Sequence, residues 1–290
     1  MAPQLCLGTV QFGLAYGITN TTGKVAEAEV IRILDLAARK GISLLDTAQA
    51  YGVAEAVLGK CWPHKAPIRL ISKLPAQADP GCWEIAFQAT LKRLNADHLD
   101  GFLLHRSADL LGLHAERLIS WLKSLRERGL VLRLGVSIYA ASELEGLPLD
   151  LLQLVQLPLS LYDQRLLRDG TVAQLNHAGI AVHARSVLLQ GLLLKPADQW
   201  PSFFSIGFRQ HHLQLMRHLK ENSLTLLDAA LSFLHSCAGL EAAVVGVLSV
   251  AEFAELLNSW ESAQTADLQN MSDWAWENAY ELDPRHWRPI

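Results

Sequence analysis

A single (β/α)8 barrel of the TIM type is the fold this sequence predicts, and three observations predict it. Eight short apolar runs recur along the 290 residues, expected as strands over 5–10, 42–46, 69–73, 99–105, 131–137, 151–156, 180–184 and 242–246. Helical patterns alternate with them, the rhythm of a chain that lays parallel strands under crossover helices. Several of the runs also close on a reactive side chain: Asp46, Lys73 and His105, with Tyr51 five residues beyond Asp46. Carboxyl ends of strands in a parallel sheet share one edge, so these groups converge. An open doubly wound sheet is the alternative that the same alternation allows.

The helices justify themselves by period and punctuation. In the pattern 27–40, Val30, Ile31, Leu34, Ala37 and Ala38 are read as one face, and 114–128 repeats the stripe with Leu118, Leu122 and Leu125. Gly41 and Gly129 follow as stops. Asp79-Pro80 predicts an N-cap with proline in the first turn, and Ser249-x-x-Glu252 a capping box. One domain over residues 1–290 is expected, with a long loop or insertion at 195–225 between the seventh and eighth strands. Trp200, Phe203, Phe204 and Phe208 lie in it, so it is expected to carry an extra helix on the catalytic face, touching substrate or packing. The tail tryptophans Trp274, Trp276 and Trp287 are read as packing residues; oligomeric state is left open.

Composition narrows the function. Half of the residues are hydrophobic, yet no apolar stretch reaches the roughly 18 residues of a membrane span, so a soluble protein is expected. The start Met1-Ala2-Pro3-Gln4-Leu5 shows no basic region followed by a long apolar run, which makes a cytoplasmic location the expectation. Cys6, Cys61, Cys82 and Cys237 stand apart, as reduced, mostly buried thiols do, and His211, His212 and His218 have no partners at metal-ligand spacing. A net charge of -4 gives nucleic acid no basic face. Small-molecule chemistry is left.

The converging residues suit proton handling at a carbonyl. A phenol with an ordinary pKa near 10 is a sluggish acid at neutrality. An ammonium within a few ångströms lowers that value, and a carboxylate holds the ammonium charged. Tyr51, Lys73 and Asp46 are those three types, and His105 can hydrogen-bond the substrate oxygen on which charge builds. No nucleophile accompanies them, so a hydride would come from a cofactor.

In order along the chain, Gly8-Thr9, Asp46-Thr47-Ala48-x-x-Tyr51-Gly52, Ser72-Lys73, Leu103-Leu104-His105 and Gly135-Val136-Ser137 resemble the motifs of the aldo-keto reductase family. The similarity runs from about Leu5 to the helix after Gly246 and implies a barrel that reduces aldehydes or ketones with NADPH, or oxidises the alcohols. The family's tetrad falls on Asp46, Tyr51, Lys73 and His105. By the same resemblance, Gly8 and Thr9 would line the nicotinamide side, Ser137 and Gln156 would bind its carboxamide, and Arg185, Ser186 and Leu188 would support the ring and pyrophosphate. Gly246 and Ser249 belong to the phosphate-binding turn at the eighth strand. Tyr16 and Arg106 are the candidate substrate contacts, with Gln11, Phe12 and Gln49 as further candidates. NADP(H) is the expected cofactor, with NAD(H) a possibility, and a small carbonyl or alcohol, sugar-derived ones included, the expected substrate.

The sequence also departs from the family. Arg185 stands at a position usually aromatic, where its guanidinium could stack on the nicotinamide or bind an anion. Ile138 replaces a common asparagine, and Glu252 and Leu256 replace the usual arginine for the 2′-phosphate and asparagine for adenine. Two other readings follow: a nucleotide-binding redox-sensing or regulatory subunit of the same fold, and a cofactor-independent barrel lyase or isomerase.

Overall fold

The computed structural model describes residues 2–63, 66–263 and 271–287; the two ends of the expected 1–290 unit lie outside them. Eight parallel strands close into a barrel in sequence order, with β8 returning to pair with β1. They are β1 Gln4–Gly8, β2 Leu44–Asp46, β3 Arg69–Leu74, β4 Leu99–Leu104, β5 Val131–Ser137, β6 Leu154–Pro158, β7 Ala181–Arg185 and β8 Ala242–Gly246. The helices are α1 Val10–Gly13, α2 Glu27–Arg39, α3 Ala54–Cys61, α4 Trp83–Leu94, α5 Ala115–Glu127, α6 Arg165–Arg168, α7 Thr171–His177, α8 Ile206–Glu221, α9 Leu226–Ser236, α10 Val250–Ala263 and α11 Ala279–Leu282. Every expected strand is present, and the barrel is closed rather than open.

Register explains how the barrel builds a site. Side chains alternate along a strand with period two, and residues paired across parallel strands point to the same face. Gly8 pairs with both Asp46 and Gly246, Asp46 with Ile71, Lys73 with Leu103, Leu103 with Gly135, and Ser137 with Gln156. Gln156 pairs with His183, two residues before Arg185. One parity therefore runs round the whole barrel. Its lower members Cys6, Leu44, Ile71, Leu103, Leu154 and Ala242 form a small apolar plug of their own, apart from the large core shared with the helices. Its upper members, at the carboxyl ends, include Gly8, Asp46, Lys73, Ser137, Gln156 and Arg185. His105 continues it one residue beyond β4.

Two local expectations are corrected. In α2 the buried stripe is Val30, Ile33, Leu34 and Ala37, the i, i+3, i+4, i+7 set, whereas Ile31 sits one step off it and is exposed. Asp79 does not cap a helix: its carboxylate accepts from the Gly81 N–H at 2.8 Å in a turn, and α4 begins at Trp83 after Cys82. Asp-Pro-Gly is turn chemistry, and that preference prevails here over the N-cap. Gly41 and Gly129 adopt φ of +73° and +70° and end their helices as expected.

The 195–225 segment carries α8 and packs through its aromatics. Phe208 stacks on Trp276 with ring centroids 4.9 Å apart, and Trp200, Phe204 and Phe208 are buried. Tyr162, after β6, bonds His212 Nδ1 at 2.6 Å, and its carbonyl accepts from the Trp276 N–H. His211 and His212 use ring nitrogens on the carbonyls of Trp274 and Lys195. Among the described residues no cluster of His, Cys, Asp or Glu is placed to hold a metal, and no helix is long and apolar enough to cross a membrane.

Candidate active site

Lys73 and Asp46 form the floor of the site. They come from adjacent strands, and Lys73 Nζ donates to Asp46 Oδ1 at 2.6 Å and to the Thr47 carbonyl at 3.0 Å. Both side chains are buried, so this ion pair is shielded little by solvent. The other Asp46 oxygen accepts from Gln156 Nε2 at 2.8 Å. The Thr9 hydroxyl and N–H both donate to the Asp46 carbonyl, tying β1 to β2. Behind β3, on the opposite parity, Ser72 donates to buried Glu55 at 2.6 Å, and Glu55 also accepts from Thr90 and Arg93. That network locks β3, α3 and α4 together and fixes the strand from which Lys73 projects.

Tyr51 stands above this pair in the turn after β2. Gly13 packs beneath the turn so closely that a Cβ there would fall 1.8 Å from the Tyr51 carbonyl, so only glycine permits the approach. The Tyr51 ring lies 5.2 Å from Lys73 Nζ and edge-on to His105, with ring centroids 5.9 Å apart. Its hydroxyl makes no hydrogen bond to a described residue, and Tyr51 lines a cavity of about 720 Å³. Burial first and the Asp46 charge second push the phenol above its ordinary value, while the Arg185 charge pulls it down. Burial, with the Lys73 charge, lowers His105 from 6.5 to about 4, which leaves the imidazole neutral through the physiological range.

The cavity runs from this group across the mouth of the barrel. Near the tetrad its wall includes Gly8, Thr9, Ser137, Gln156, Arg185 and Tyr139; farther along come Ser186, Leu188 and Gly246; the far end is formed by Leu248, Glu252, Glu255 and Leu256. Lys73 is not part of this wall and touches Asp46, which is. Arg106 and Ser249 are not part of this wall. Arg106 points to Asp109 at 3.9 Å, and the Ser249 hydroxyl caps α10 by accepting from the Glu252 N–H at 3.1 Å. Tyr16 is on the rim, its hydroxyl accepting from Gln190 at 3.2 Å; burial pushes it up to about 12.

Arg185 is held rigidly. Its guanidinium donates to Ser137 Oγ, Ser186 Oγ and the Ile138 carbonyl, and stacks 3.8 Å above the Tyr139 ring. Arg285 lies 3.7 Å from the same ring, so Tyr139 is sandwiched between two guanidinium groups. Arg285 is paired with Asp283 and Glu143, whereas Arg185 has no carboxylate partner among the described residues. Tyr139 and Gln190 went unnoticed in the sequence. Gln190 joins the two rim loops, accepting from the Ile18 N–H and the Thr19 hydroxyl. Neither residue belongs to a motif, and their partners are distant in the chain.

A nicotinamide dinucleotide fits these residues at the reacting end. The Gln11 Oε1 acceptor is buried on the cavity wall without a partner among the described residues, and at Gly246 a Cβ would fall 2.4 Å from it. Gln156 has donated through its nitrogen, leaving Oε1 for an amide N–H. Arg185 and Ser137 supply donors.

Comparison with known proteins agrees with this geometry. The family model for the aldo/keto reductase family matches residues 4–274. An aldo-keto reductase of Mycolicibacterium vanbaalenii is 33% identical over 132 residues, 43% of this chain and 46% of that protein. The match thus spans less than half the length of that curated relative. The solved holo form of an aldo-keto reductase from Bacillus halodurans superposes with a TM-score of 0.76 at 19% identity, covering 96% of this chain and 95% of that one. A thermostable aldo-keto reductase solved with the inhibitor epalrestat gives 0.70 at 22% identity, covering 94% of each chain. With a family model that spans nearly its whole length and a barrel of matching architecture, this chain belongs to the aldo/keto reductase family.

Proposed function

We propose that this protein is an oxidoreductase that reduces small aldehydes or ketones, sugar-derived ones included, with NADP(H) or NAD(H), or oxidises the corresponding alcohols. The observation that carries the reading is the Tyr51 hydroxyl, without a hydrogen-bond partner among the described residues, beside neutral His105 and above the buried Lys73–Asp46 pair, at one end of a long cavity.

When bound, the reduced nicotinamide supplies a hydride to the carbonyl carbon. Tyr51 supplies the proton: its O–H breaks as the carbonyl oxygen takes up charge, so that C=O becomes CH–OH and a phenolate remains. Lys73 Nζ and the Arg185 charge stabilise that phenolate, which draws a proton back from solvent. His105 donates an N–H to the same oxygen and sets the angle of approach. Ser137 and Gln156 orient the carboxamide. Arg185 meets the nicotinamide face or an anionic substituent of the substrate. Gly8, Thr9, Ser186, Leu188 and Gly246 shape the cofactor groove, and Tyr16 forms the outer wall of the substrate site. A cavity that extends well past the proton-transfer group favours a dinucleotide enzyme over a cofactor-independent lyase or isomerase.

The test is a panel of aldehydes and ketones with NADH or NADPH, following loss of the reduced-nicotinamide absorbance. Saturable turnover with any member is expected. Tight nucleotide binding without turnover across the panel would instead favour the redox-sensing subunit.

A further inference from the structure

The far end of the cavity is negatively charged. The β8–α10 turn offers backbone N–H groups that would ordinarily receive an anion, as unsatisfied donors at a helix N-terminus do. Here carboxylates of the chain already occupy two of them. Glu252 Oε2 accepts from the Leu248 N–H at 2.8 Å, and Glu29 Oε1, reaching over from α2, accepts from the Val250 N–H at 2.6 Å. Glu252 and Glu255 line the cavity; among the described residues its arginine and lysine side chains, Arg185 and Lys195, belong to β7 and the segment after it. Arg32 is the nearby cation on α2, and it is paired with the second oxygen of Glu29.

Hydride transfer places the nicotinamide beside Tyr51, so the cavity leaves this far end for the adenosine half of the dinucleotide. An adenosine 2′-phosphate would bring about two negative charges toward Glu252 and Glu255 and would find the Leu248 and Val250 donors taken. A ribose 2′-hydroxyl meets no such conflict. Carboxylates accept hydrogen bonds from ribose hydroxyls, and Glu252 Oε1 has no donor among the described residues. We propose that Glu252, with Glu29 blocking the adjacent donor, makes this enzyme select NAD(H) over NADP(H). This rests on the function proposed above and replaces the cofactor default that the family resemblance implies.

The experiment is a tryptophan-fluorescence titration of the full chain with NADH and with NADPH at low ionic strength, repeated on Glu252→Gln and Glu29→Gln. NADH is expected to bind at least about tenfold more tightly, a difference within reach of one or two charge contacts. Glu252→Gln should tighten NADPH severalfold and so narrow the ratio. Because Glu252 is exposed, this variant should fold; Glu29→Gln is judged only after its melting temperature matches the parent. Equal affinities, tighter NADPH, or a ratio unmoved by Glu252→Gln would overturn the selectivity and leave the oxidoreductase reading standing. Binding of neither nucleotide would overturn both.

Discussion

Tyr51 and Lys73 divide one task between them, and each makes its own prediction. Tyr51→Phe removes the transferable proton and keeps the ring that packs beside His105. It is expected to lower kcat by about 10²-fold or more while nucleotide affinity stays within about twofold, as turnover and fluorescence titration would show. Lys73→Met leaves Asp46 buried with Gln156 as its remaining side-chain donor. It should cost about as much in kcat, with its acid limb displaced in the pH profile; a change confined to KM would contradict the role given to the lysine. Asp46, Tyr51, Lys73 and His105 were legible in the sequence because each closes or closely follows an apolar run. The Tyr139 sandwich and the reach of Glu29 to Val250 were not: both join residues far apart in the chain, and no local pattern encodes them.

At the scale of elements, the β3–α3–α4 knot around Glu55 supports the lysine strand without touching the cavity. Glu55→Ala would leave the Ser72 and Thr90 hydroxyls without their acceptor and Arg93, itself partly exposed, with Thr90 Oγ1 but no carboxylate. A loss of about 2–3 kcal/mol is expected, lowering the melting temperature by roughly 5–10 °C. Strands were readable to within about three residues, since period and burial agree along them. The 195–225 segment, read as a loop with an extra helix, carries α8, but where it packs was open. The choice lies in tertiary partners, Trp276, Tyr162 and the histidines of α8, which sequence proximity does not reveal.

Over the whole molecule, the barrel keeps reactive groups at its carboxyl end and charge pairs at its amino end, where Arg133 bridges Asp100 and Glu241 and buried His183 bonds the same Glu241. The shifts give acid sensitivity a sign. His105 and His212, lowered by burial to about 4, are neutral in the fold where the unfolded chain takes up protons, so stability falls as pH drops from 6.5 toward 4. Glu84 and Glu241, lowered to about 2 chiefly by their bonds to Arg128 and His183, extend that loss from 4.5 toward 2. Melting temperature should therefore decline steadily as pH falls below 6.5; a maximum near pH 4–5 would contradict the burial of neutral histidines.

On the proposed function, this barrel moves a hydride to a carbonyl carbon. That step is read by supplying the reduced cofactor with deuterium on the transferring face of nicotinamide C4 and analysing the alcohol product by mass spectrometry. One deuterium on the carbinol carbon, formed by the parent protein and nearly lost with Tyr51→Phe, is the predicted result. Product carrying hydrogen from solvent at that carbon would contradict it.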